Sequence, residues 1–216
     1  MKGKIRDSIK SSFVEGLFAS ATIGMVETYI IPYALVLKAV PFQIGLLASL
    51  PNLLAALLQS QAEKLVGIFK SRKRFLRVAI FLQALSLFGV AGLSFFSPDL
   101  SLYGLILLVI FYMTFGGLAG SAWGSLICEY LPLGSRTSYF GWRNRVLGCV
   151  MMAFSLGTGI MLTWFKGSVL QGFIVCFSLA GMFRVISWYF IGKMHEPKSD
   201  WKPKVSEGSP SHQSVM

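Results

Sequence analysis

The chain has 216 residues, 54% of them hydrophobic and 13% charged, with a formal net charge of +11. Soluble domains hold roughly 45–50% apolar and about 25% charged residues, so the composition excludes an ordinary soluble domain and points to several membrane spans. The positive charge does not indicate a nucleic-acid partner, because it falls in short blocks between apolar runs and accompanies no finger, homeodomain or basic-zipper pattern.

Residues 1–12 carry Lys2, Lys4, Arg6 and Lys10 and read as a short cytoplasmic segment. The apolar run that follows, 13–37, is too long for the roughly 7–15-residue core of a signal peptide and reads as a first span. Crossing about 30 Å of hydrocarbon takes roughly 20 helical residues. Five further runs meet that length, at 43–66, 75–97, 102–128, 146–165 and 169–192. Barrel strands are about 9–11 residues long and alternate in polarity; these runs are longer and do not alternate. The expected fold is therefore all-α and polytopic, with six transmembrane helices over 13–193. The remaining 194–216 turns polar, with Pro, Ser and Lys, and reads as a cytoplasmic tail or the start of a linker.

Orientation follows from the basic residues. Of the 20 Lys and Arg, all but Lys38, Lys166 and Arg184 fall on one side of the expected bundle. That side should be the cytoplasm, with both termini in it, and the cytoplasmic membrane of a bacterium is the expected location. The outer loops, "KAVPF", "SPDLS" and "KGS", are too short for an outer domain. Function must then lie in the bundle or on its cytoplasmic face.

Glu27 stands out in the first run, about two residues past its centre, where a carboxylate costs a few kcal/mol. Gly16, Ser20, Gly24 and Glu27 share one small, polar helical face, which should turn toward other helices or a cavity. An acid so placed suits proton coupling or a cationic substrate; the plainer alternative is a structural hydrogen bond to a neighbouring helix. Arg184, in the sixth run, is a second candidate, either as a distant partner of Glu27 or snorkelling to the inner interface. Asn52 and Gln59 share a face of the second run, and Tyr112, Thr114 and Trp123 are polar-tipped positions of the fourth, all suited to lining a cavity or bonding between helices. Gly116, Gly120 and Gly124 read as a close-packing seam. Glu15 reads as a cap or interfacial group near the cytoplasmic end.

Several chemistries have no support. Cys128, Cys149 and Cys176 lack metal spacing and read as small apolar residues, and His195 and His212 lie in the polar tail, so neither a metal nor any other cofactor is expected. No phosphate-binding G-x-x-x-x-G-K-S/T loop occurs. An intramembrane enzyme would need a paired constellation, and one deep acid does not make one.

Three stretches carry a family resemblance. They are "GLLASLPNLLAALLQ" followed by the basic "KSRKRF", then "EYLPLGSRTSYFGWRNR", then "GKMHEP" closing the sixth run. With these the chain resembles the N-terminal six-helix half of the major facilitator superfamily over nearly its whole length. The likeness implies two three-helix repeats and a cytoplasmic loop motif that here falls on Arg72, Lys73, Arg74, Glu129 and Arg136. It departs from the family's G-x-x-x-D-x-x-G-R-K pattern, with Glu63, Gly67 and Lys70 at the first Gly, the Asp and the second Gly, and Thr137 replaces the usual Gly of the next loop. The resemblance implies secondary or facilitative transport of a small solute by alternating access, with a second six-helix half, from the same gene downstream or from another chain, as partner within the lipid bilayer. Glu27, Asn52, Gln59, Tyr112, Thr114 and Arg184 are the expected substrate- or proton-binding residues. A non-transporting scaffold or a truncated remnant is the alternative.

Overall fold

The computed structural model describes residues 2–196; the tail beyond, 197–216, lies outside the described residues. The chain there is all-helical, with no strand among the described residues. The helices are α1 (Lys2–Val26), α2 (Ile30–Val36), α3 (Pro41–Gln59), α4 (Ala62–Phe69), α5 (Arg72–Gly92), α6 (Pro98–Tyr130), α7 (Leu133–Trp164) and α8 (Val169–Lys193), with a 3-10 turn at Leu93–Phe95. Six segments are long and apolar enough to cross a membrane: α1 with α2, then α3, α5, α6, α7 and α8. Helix is the expected answer for such runs, because a chain in hydrocarbon must satisfy its backbone groups within each segment.

Local chemistry sets the boundaries. Pro41 and Pro98 open α3 and α6, where a missing N–H costs nothing. The Ser71 hydroxyl accepts from the Arg74 amide and caps α5. Lys70 closes α4 in the left-handed region at φ 51°. Two boundaries differ from the sequence reading. Helix α1 begins at Lys2 and not at residue 13, and α7 begins at Leu133, so the basic stretch taken as a loop is helical. Hydropathy reports where a helix is greasy, not where it starts.

The first span is broken at Glu27–Tyr29. Pro32 is the local cause: it has no N–H for the Thr28 carbonyl, and its ring crowds that oxygen. Tyr29 bonds instead to the Val26 carbonyl at 3.0 Å, a tighter turn. The break is tied to α7, since the Tyr29 hydroxyl donates to the Ser155 carbonyl at 2.8 Å.

The main helix contacts form a chain in the order α3, α6, α5, α8, α1, α7. Helices α1 and α6 barely touch, and a gap opens between them. The core has two apolar clusters. One surrounds Tyr33, Leu105, Phe173 and Phe177. The other holds Leu76, Ile80, Leu126, Ile127 and Ile191. Along α5 and α8 a polar layer separates them, with Gln83, Arg184 and Ser187 all buried. Helices α3 and α7 are the least covered: 11% of the apolar window of each is buried, against 50% in α5.

Candidate functional site

The polar layer is centred on Glu15, not on Glu27. Glu15 is 6% exposed, and Arg143 and Arg184 are each 7% exposed. Arg184 Nη1 lies 3.5 Å from Glu15 Oε1, and Arg143 Nη2 lies 3.9 Å from Glu15 Oε2. The Ser187 hydroxyl donates to Glu15 Oε1 at 3.0 Å and accepts from Arg184 Nη1 at 3.0 Å. Arg184 Nε donates to Gln83 Oε1 at 2.5 Å, and Gln83 Nε2 donates to the Tyr112 carbonyl at 3.2 Å. Four helices, α1, α5, α7 and α8, thus meet in one charged network.

The sequence builds this locally. Arg184 and Ser187 are three apart on α8 and share a face. On α1 the small face does turn inward: a Cβ at Gly16 would run into Arg143 Nη2, and one at Gly24 into the Met151 carbonyl oxygen. Only glycine lets α7 approach α1 this closely. The Arg143 guanidinium stacks over the Trp123 ring at 4.1 Å, and Trp123 Nε1 donates to Ser12 Oγ at 2.8 Å.

Beside the network lies a cavity of about 360 Å³ in the gap between α1 and α6. Glu15, Ser20, Trp123, Arg143, Asn144 and Arg184 supply its polar lining. A smaller cavity of about 170 Å³ adjoins it, lined by Thr22, Glu27, Gln83, Tyr112 and Arg184. Glu27 also borders a third space of about 600 Å³ against Gly148, Met151 and Ser155 of α7. Glu27 itself is exposed on the surface of this bundle and forms no ion pair among the described residues.

The expected site residues are therefore only partly brought together. Glu27, Tyr112 and Arg184 share the smaller cavity. Gln59 is elsewhere: its amide donates to Ser121 Oγ at 2.9 Å beside a separate cavity of about 400 Å³. Asn52 is exposed, and its amide returns to the Ala48 carbonyl at 2.9 Å. Thr114 and Tyr112 are buried with hydroxyls that have no partner among the described residues.

Four readings need correction. Arg184 does not snorkel; Glu15, Gln83 and Ser187 hold it inside. Glu15 is not a cap, because α1 continues well before it and two guanidinium groups face it. Arg143, counted with a loop, is buried on α7. The glycine seam of α6 does not extend: Gly116 packs on Gln83, but nothing lies within 4 Å of a Cβ at Gly120 or Gly124. Gln83 and Ser187 were not singled out. The available signal was a glutamine inside the third apolar run and a serine one helical turn from an arginine.

The loop residues form a second network at the other end of the polar layer from α2. Arg72 Nη1 pairs with Glu129 Oε2 at 3.2 Å, joining the start of α5 to the end of α6. Arg136 donates to the Leu131 carbonyl at 3.0 Å and the Cys128 carbonyl at 2.5 Å, satisfying the end of α6. Lys73 is half-buried and Arg74 exposed. The "GKMHE" stretch crosses to this site: Glu196 accepts from the Arg72 amide at 2.7 Å and the Ser71 hydroxyl at 2.5 Å, a carboxylate on a helix N-terminus. Tyr130 donates to the His195 carbonyl. No group of His, Cys, Asp or Glu that could hold a metal occurs among the described residues.

No family model, characterised protein or solved structure matches the chain. What the fold and site define is a class: an all-helical protein with six helices long and apolar enough to cross a membrane, and a charged network buried among them.

Proposed function

We propose that the chain is one six-helix half of a secondary transporter of the major facilitator kind, moving a small solute by alternating access. The observation that carries this reading is the polar cavity between α1 and α6, walled by helices otherwise apolar enough for lipid. Charges inside such a bundle mark solute or ion pathways far more often than they serve stability. The order of helix contacts supports two three-helix repeats. Exchanging spans one to three with spans four to six maps α3–α6 onto α7–α1 and α6–α5 onto α1–α8. The uncovered flanks of α3 and α7 suit a second half, against which this bundle would rock. Both termini and the Arg72–Glu129 network would face the cytoplasm of a bacterial cell.

Glu27 would carry the coupled proton. It stands where the first span is interrupted, and broken helices recur at transport sites. The test is solute-driven proton flux in proteoliposomes containing the native chain, with its partner half where one is required, beside the Glu27→Gln form. Flux lost in the variant is the expected result. Equal flux in both would remove Glu27 from the mechanism, and no flux of any solute would leave a scaffold as the better reading.

A further inference from the structure

We propose that Arg143 and Arg184 form a docking point for an oxyanion, a carboxylate or phosphate group on a small organic solute held in the cavity between α1 and α6. The inference deepens the transport reading, on which it rests only in treating the ligand as a solute.

Charge comes first. The lining of the 360 Å³ cavity includes two guanidinium groups and one carboxylate, Glu15. A buried cation left without full compensation is strongly disfavoured. Glu15 is shared unequally. Arg184 has Glu15, Gln83 and Ser187 around it. Arg143 has much less: its contact with Glu15 is 3.9 Å, beyond hydrogen-bonding length, and its Nε is buried with no partner. An arginine carries five N–H donors in a rigid fork. Here that fork makes no hydrogen bond among the described residues, although the side chain is more than nine-tenths buried. Stacking on Trp123 holds its plane without using the donors.

Geometry selects the ligand class. A planar fork of free donors matches carboxylate and phosphate oxygens, to which arginine binds in a bidentate manner. A cation would meet two positive groups at the same wall. A volume of about 360 Å³ lies in the lower range for small-molecule pockets, roughly 300–1,000 Å³. The apolar lining from Ile23, Leu76, Ile80 and Leu147 suits a short carbon skeleton behind the anionic group. Arg143 also points away from the exposed flank of α7, toward Glu15 and Gly16 of α1, so the occupant enters the bundle interior.

The experiment is thermal unfolding of the full chain in zwitterionic nanodiscs, titrated with succinate and with inorganic phosphate. Glycerol and choline serve as neutral and cationic controls. Succinate or phosphate should raise the melting temperature in a saturable manner, while the controls should not. Arg143→Gln should raise the succinate midpoint about tenfold or more, the loss of a charge-assisted hydrogen bond. Arg143→Lys, which keeps the charge but loses the fork, should recover only part of it. Glu15→Gln should lower the midpoint, because the carboxylate competes for both guanidinium groups. Variants are compared by ligand-induced shifts, so a lower starting stability does not obscure the result. No saturable response to either anion, or an equal response in Arg143→Gln, overturns the inference. Stabilisation by phosphatidylglycerol in the disc with no response to the soluble anions assigns the oxyanion to a lipid headgroup and overturns the solute. Anion binding without flux would instead spare the site and sink the transport reading; flux of a neutral solute without anion binding would do the reverse.

Discussion

Glu15 and Glu27 lie on the same span, twelve residues and about 18 Å of helix apart, and the fold treats them oppositely. Glu15 is buried, faces two arginines and accepts from a serine hydroxyl. Glu27 is exposed at a helix break and forms no ion pair among the described residues. The first carboxylate joins four helices and so resists change. The second is free to gain or lose a proton without dismantling anything. A polar residue in a greasy run thus has two uses, and the neighbours from other helices decide which one it serves.

The largest test of that contrast is Arg184→Met. It leaves Glu15 and Gln83 buried without their main partner, and should destabilise the folded chain by about 3–5 kcal/mol, read as a lower unfolding midpoint in detergent. Combining it with Glu15→Gln should restore part of the loss, since the unpaired charge is then removed as well. Full additivity of the two losses would mean that the pair is not coupled.

Gly24→Val comes next. Its side chain would collide with the Met151 carbonyl and push α7 off α1. A loss of about 1–3 kcal/mol is expected from overpacking, with crosslinking between cysteines placed at Ser20 and Gly148 reporting the separation. Unchanged crosslinking and stability would mean that α1 and α7 do not pack as described.

A third carboxylate offers an intermediate case, because Glu196 is paired with backbone amides and not with an arginine. Glu196→Ala should cost about 1 kcal/mol, the usual scale of a lost N-terminal cap. Hydrogen exchange in the first turn of α5 should rise accordingly. Glu27→Gln should have the smallest effect on stability, within about 0.5 kcal/mol, despite its expected effect on flux. A stability loss as large as that of Arg184→Met would erase the distinction between the two acids.

The sequence by itself determined the six apolar segments and the all-helical class, because lipid-compatible length and hydropathy are local properties that survive without knowledge of neighbours. It also located the small face of α1, since glycine and serine at helical spacing show on a single helix. Tertiary structure alone decided which acid was buried. Glu15 and Arg184 are 169 residues apart, and nothing in either local window shows that they meet. Arg143 was hidden for the same reason: a polar stretch reads as a loop until α7 is seen to carry it against α1. Pairing of charges is a matter of distance across helices, and hydropathy, summed along one chain, contains no such distance.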